Sequence, residues 1–242
     1  MCTQRVPTPA QGPSDAQDTG LALQAVLFDL DGTLVDTEPY WIAAEYALVE
    51  SFGGTWNDTH AHALVGNALL VSAEYIREHG GVDLDPPVIV ERLLDDVVLA
   101  AVREMPWQPG ALELVQELRD HTVPCAVVTM SYERLARTLT DQLAPGTFTT
   151  VVTGDELRDG KPHPEAYLTA AARLGVDPAY CVAIEDSPTG IASAEAAGCI
   201  VVAVPHTVPI EPGPLRTVVG SLTDLSVARL DALVRERAIR TA

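Results

Sequence analysis

Lysine is almost missing from this chain: Lys161 is the single one among 242 residues, and the other fixed positive charges are arginines. Positive charge as a whole is scarce, with 15 Lys and Arg against 34 Asp and Glu and a formal net charge of -19. Nucleic-acid backbones are held by clustered cations that displace counterions, so nucleic acid is excluded as a partner, and an anionic membrane surface with it. A small anionic substrate would meet a repelling field unless a local cation offset it. Apolar runs long enough to span a membrane, about 20 residues, are also lacking. The four cysteines show the spacing of neither a zinc knuckle nor a redox pair. Cys125, Cys181 and Cys199 lie in or beside apolar runs, where a free thiol behaves as a small buried hydrophobe. Reduced thiols suit a cytoplasmic protein.

What is present is regular. After residues 1–21, a Pro-, Gln- and Ser-rich stretch that reads as a flexible tail, "ALQAVLFDL" is a short apolar run of the kind that makes a strand buried on both faces. Similar runs recur at 123–130, 148–154, 180–186 and 199–205, with helical segments between them, among them "PGALELVQELRDH", "SYERLARTLTDQLA" (131–144) and "PEAYLTAAARLG". A short strand and a closing helix are expected after residue 217. Alternating strands and helices predict an α/β fold with a doubly wound parallel sheet, a Rossmann-like core formed by 22–35 and 107–242. Residues 36–106 interrupt the alternation with three helical stretches, 37–54, 57–81 and 85–105, and no strand, which reads as a small helical cap on two short linkers, "LVDTEP" and "MPWQPG".

In such a fold ligands bind beyond the carboxyl ends of the strands. Asp29 and Asp31 end the first predicted strand, Thr129 and Ser131 the second, and Glu185 and Asp186 the fourth, while Lys161 sits in the loop after the third. Alone, each has an ordinary reading: Asp-Gly is a common turn, and Ser187 or Thr189 beside Asp186 caps a helix. Together they crowd acids at one rim, an arrangement that is costly without a cation among them. Mg2+ fits, as a hard ion that takes carboxylate oxygens and keeps room for phosphate. A lysine ammonium is a compact charge able to bridge a carboxylate and a phosphoryl oxygen, where an arginine fork would demand another geometry. If the first strand persists, Asp29 and Asp31 project to one side. One then acts as nucleophile and the other as general acid and base, with Mg2+, Lys161 and Thr129 neutralising the phosphoryl group.

"DLDGTLVDTE", "VVTMS", "GKPHPEAY" and "AIEDSPTGI", in that order over about residues 24–205, resemble the four motifs of the haloacid dehalogenase superfamily. The resemblance implies that Asp29 is the nucleophile, Asp31 the acid/base, Thr129 and Lys161 the phosphate ligands, and the Asp29 side chain, the Asp31 carbonyl and Asp186 the magnesium shell, with Glu185 joining it directly or through water; Ser131, at the same strand end as Thr129, is a further candidate phosphate ligand. The helical insertion is similar to that of β-phosphoglucomutase-like phosphatases. Asp31 argues against carbon-halogen hydrolysis, and a lysine-free insertion argues against the imine chemistry of phosphonate hydrolases. A mutase remains the alternative, but Thr33 stands where mutases have valine, and "LVGNALL" lacks their basic residues. A non-catalytic phospho-acceptor of the receiver type also places Asp, Thr and Lys at strand ends, in about half this length and without a lid. The expected activity is hydrolysis of small phosphorylated metabolites, sugar or polyol phosphates, by a monomer or weak homodimer. Glu38, Trp41, Asn67 and Arg77 are candidates for the entrance, although Trp41, at helical spacing with Tyr40 and Ala44, fits a core position better. His60, His62 and His79 read as surface residues.

Overall fold

The computed structural model describes residues 20–65 and 67–241. Six strands in that range form one sheet: β1 (Ala25–Phe28), β2 (Cys125–Val128), β3 (Thr150–Val152), β4 (Cys181–Glu185), β5 (Ile200–Ala203) and β6 (Arg216–Val218). Every neighbouring pair is parallel, in the order β3-β2-β1-β4-β5-β6. The sequence reads as continuous apolar runs because both faces are covered. Val26, Phe28, Val127 and Ile184 face one cluster with α5 (Ala111–Asp120), α6 (Glu133–Thr140) and α9 (Val227–Thr241). Leu27, Ala126, Val128 and Ala183, one residue out of phase, face α7 (Glu165–Leu174) and α8 (Pro188–Ala196) on the other side. Direction of travel reverses at β1, whose neighbours β2 and β4 lie on either side, so β1 and β4 border the switch point where α/β sheets bind ligands.

Between β1 and β2 come α1 (Glu38–Ser51), α2 (Asp58–Leu64), α3 (Leu69–Gly80) and α4 (Pro86–Arg103). Leu48, Val49, Ile76, Ile89, Leu93 and Leu94 are buried in a core of their own there. Two strands of chain link it to the sheet side by side: Asp36 N donates to Pro106 O at 2.8 Å and Gln108 N to Leu34 O at 2.9 Å. Leu135 of α6 joins the helical core, and Arg134 pairs with Glu91 at 3.3 Å and with Asp95 across the same contact.

Three expectations need adjusting. The helical stretch over 57–81 is two helices, broken where Val65 turns to φ -55 and ψ 125; Gly66 and Asn67 interrupt the apolar period there. The helix expected over 131–144 is shorter, Glu133–Thr140. Gly20 and Leu21, read as tail, are tied to the folded chain: Gly20 O accepts from Arg235 at 2.6 Å, and Leu21 packs on the core. Residues 1–19, Cys2 included, lie outside the described residues. Cys125, Cys181 and Cys199 are free and buried, and burial pushes each thiol up to about 12. Among the described residues no helix is long and apolar enough to cross a membrane.

Candidate active site

The carboxyl ends of β1, β2 and β4 and the loop before α7 converge on one cavity of about 120 Å3, roofed by α1, α2 and α3. Asp29, Asp31, Thr129, Ser131, Lys161 and Asp186 all line it. Asp29 follows β1 directly, and its N–H still belongs to the sheet, donating to Ile184 O at 3.0 Å. Asp31 arrives differently from the sequence expectation. The strand stops at Phe28, and a tight turn carries Asp31, with Gly32 N donating to Val35 O at 2.7 Å and Gly32 at φ 88. A side chain at Gly32 would also meet Asp186, because a Cβ there would lie 2.1 Å from its Oδ2. Glycine therefore serves both the left-handed turn and the close approach of a carboxylate.

Lys161 lies at the centre. Its ammonium donates to Asp29 Oδ1 at 2.6 Å, Glu185 Oε1 at 2.6 Å and Val128 O at 2.9 Å, which uses all three of its hydrogens. Its side chain is 3% exposed. Burial opposes its charge, but the Asp29 and Glu185 carboxylates outweigh that and hold its pKa above the ordinary lysine value. Asp29 is pushed up to about 8, first by burial and then by Glu185 and Asp31, against the pull of Lys161. Burial, with Asp29 and Glu185 nearby, also raises Asp186 well above the usual carboxylate range. One ammonium does not balance this many buried acids.

Glu185 is placed rather than exposed. Besides Lys161 it accepts from Tyr167 Oη at 2.7 Å and from Ser187 Oγ at 3.1 Å. It presses on the first turn of α8, where a Cβ at Gly190 would lie 1.8 Å from Glu185 Oε1. Asp31 is held from the other side of the cavity: Ser131 Oγ donates to its Oδ2 at 2.6 Å and Thr129 Oγ1 at 3.2 Å, while Thr37 and Trp41 reach its Oδ1. Thr129 is oriented in turn by Ser131 N, which donates to its hydroxyl at 2.9 Å.

Asp29, Glu185 and Asp186, all buried, each offer a carboxylate oxygen within 4.8 Å of the others. An all-oxygen set of hard donors with excess negative charge fits a magnesium-like ion. Sequence reasoning did not single out Thr37 or Tyr167, and it used Thr33 only against the mutase reading, whereas the Thr33 hydroxyl donates to Asp186 Oδ1 at 3.3 Å. Thr37 and Tyr167 stood in the quoted motifs, but nothing local marks them as donors to a carboxylate. Among the entrance candidates, Glu38, Trp41 and Asn67 line the cavity, while Arg77 is exposed and outside it. His62 and His79 are exposed as expected, but His60 is half-buried, stacked on Trp56 with ring centres 4.7 Å apart.

The haloacid dehalogenase-like hydrolase family matches residues 23–198. The chain belongs to this family. It is 34% identical to hexitol phosphatase A of Escherichia coli over 74% of this chain and 81% of that one. It is 32% identical to validoxylamine A 7'-phosphate phosphatase of Streptomyces hygroscopicus subsp. limoneus, over 76% and 86%. Among solved structures, CbbY from Rhodobacter sphaeroides superposes with a TM-score of 0.78 at 26% identity, covering 86% of this chain and 99% of that one. The β-phosphoglucomutase from Clostridium difficile gives 0.78 at 23%, over 90% and 99%, and so shares the fold. The chain is therefore a haloacid dehalogenase-like enzyme of the hydrolase type, and the curated relatives named are phosphatases.

Proposed function

We propose that this hydrolase cleaves small phosphate monoesters, sugar or polyol phosphates, through a phosphorylated Asp29. The observation that carries the reading is the ring of groups about one cavity: Asp29 against Lys161 at 2.6 Å, and Asp31 under the hydroxyls of Thr129 and Ser131. An Asp29 oxygen attacks phosphorus while the bond to the leaving alcohol breaks, and Asp31 gives that alcohol its proton. Water then attacks the phosphorus, Asp31 takes its proton back from that water, and the bond to Asp29 breaks, releasing phosphate. Lys161 stays charged through both steps and steadies the equatorial oxygens beside Asp29 by its charge, and Thr129 and Ser131 become further donors by turning their hydroxyls from Asp31 to the phosphoryl group.

The side chains of Asp29 and Asp186 and the backbone carbonyl of Asp31 would hold Mg2+, with Glu185 directly or through water. When bound, the ion supplies positive charge to the phosphoryl oxygens and to the crowded carboxylates. The helices 38–103 act as a cap on the paired linkers, excluding bulk water and favouring small substrates. The names of the relatives support sugar or polyol phosphates. The mutase alternative gains nothing from the cavity, where Lys161 is the only cation among the described lining residues and the cap side brings none for a second phosphate.

Purified protein is expected to release phosphate from an aryl phosphate with Mg2+ and to lose that activity with EDTA. Asp29→Asn abolishes turnover while the fold persists. Retained phosphate release in that variant refutes Asp29 as the nucleophile.

A further inference from the structure

The roof of the cavity carries two acids that the reaction does not use. Glu38, Trp41, Ile42 and Glu45 follow one another along α1 at spacings of three, one and three residues, which places them on one face, and all four line the cavity. Glu45 is 5% exposed. Its Oε2 accepts from Trp56 Nε1 at 3.2 Å, a bond that orients the carboxyl group from behind. No cation pairs with Glu45 among the described residues, and burial, with the Glu38 charge adding to it, pushes its pKa up to about 7. Glu38 Oε2 accepts from the Thr207 hydroxyl and lies 3.9 Å from His206 Nε2, while Oε1 is buried without a hydrogen-bond partner. Leaving a buried acceptor unmade is costly, and a ligand that brings a donor relieves that cost.

The cavity is thus polarised. Its floor has Lys161 for a phosphoryl group, and its roof has two carboxylates and no cation among the described lining residues. We propose that Glu45, assisted by Glu38, reads the leaving group of the substrate by accepting hydrogen bonds from the hydroxyls of an uncharged polyhydroxy alcohol. It turns away leaving groups that carry a second phosphate or a carboxylate. The selection works through charge as well as through hydrogen bonds, since a second anion would be buried against two carboxylates. The proposal rests on the phosphomonoesterase reading above and adds the residues that choose the substrate.

The test compares kcat/KM for a hexitol phosphate (sorbitol 6-phosphate), a bisphosphate (fructose 1,6-bisphosphate) and p-nitrophenyl phosphate, in the wild type, Glu45→Gln and Glu45→Leu. Gln keeps an acceptor for Trp56 and removes the charge; Leu removes both. A hydrogen bond to a charged group is worth enough that sorbitol 6-phosphate should lose about 10-fold with Gln and about 100-fold with Leu. Most of the loss should fall on KM, p-nitrophenyl phosphate should stay within about 2-fold, and the bisphosphate should gain relative to the hexitol ester. Equal losses on the aryl and hexitol esters, or no loss on either, overturn the proposal while leaving the phosphatase reading intact. Wild-type protein that releases phosphate from none of the three with Mg2+ overturns the phosphatase reading itself.

Discussion

Replacing Lys161 with methionine removes the one cation from a cavity floor that holds Asp29, Glu185 and Asp186. Methionine keeps much of the stem's volume, so the change is chiefly one of charge. Breaking a buried ion pair by deleting one partner costs about 3–5 kcal/mol. Proton uptake sets a ceiling on that figure, because a carboxyl group left without its cation takes up a proton instead of staying charged. Neutralising one more carboxyl group at pH 7 costs about 1.4 kcal/mol for each unit between its ordinary pKa and the pH, which is about 3–4 kcal/mol for Glu or Asp. For a chain of this size each kcal/mol moves the melting temperature by about 2–4 °C. The expected deficit at pH 7 is therefore about 6–16 °C, measured by thermal unfolding followed by circular dichroism in EDTA. The sign with pH follows from the same proton. The folded variant binds it and the unfolded chain does not, so the deficit grows as pH rises through the carboxylate range and shrinks to about 1 kcal/mol at pH 5. Lys161→Arg should not restore activity, since the planar fork cannot sit between two carboxylates and a carbonyl at these distances. A Lys161→Met protein that melts within 2 °C of the wild type at pH 7, or whose deficit is as large at pH 5, refutes the account of Lys161 as the counter-charge of the cluster.

Two further outcomes are expected. Gly32→Ala forces a side chain into a φ of 88 and a Cβ to 2.1 Å from Asp186 Oδ2; phosphate release should fall at least about 100-fold for a stability cost of about 1–2 kcal/mol, and normal activity would show that Asp186 need not be where it lies. Glu45, raised from 4.5 to about 7 chiefly by burial, contributes stability that is fully present below pH 4.5 and lost as pH rises through 7. Glu45→Gln should gain on the wild type by up to about 3 kcal/mol between pH 5 and pH 8. Parallel melting-temperature profiles for the two proteins would refute that linkage.

Much of the site was legible before any coordinates. Parallel strands buried on both faces announce themselves as apolar runs, and the polar residues that end such runs lie at one rim of the sheet. That logic found Asp29, Asp31, Thr129, Ser131, Glu185 and Asp186, and the scarcity of lysine pointed to Lys161. The resemblance to a known family assigned their roles. Asp31 shows where the local reasoning was right for the wrong cause: its carboxyl group reaches the cavity because a glycine turn takes over from β1, not because the strand persists. Periodicity located the cap helices but misjudged their number, since a two-residue interruption at Gly66 and Asn67 weighs little against the apolar pattern on either side.

What the order of residues determined by itself was the alternation that builds the sheet and the set of groups at its strand ends, because both depend on local spacing and on which side chains water excludes. What only the tertiary structure decided was which side chains of distant segments meet. Tyr167 and Ser187 fix Glu185, Thr37 and Ser131 hold Asp31, and Trp56 turns Glu45 toward the cavity. Those pairings depend on how packed helices rotate about their axes to fill a core, a choice settled by the joint shape of many side chains and not by the spacing of any few.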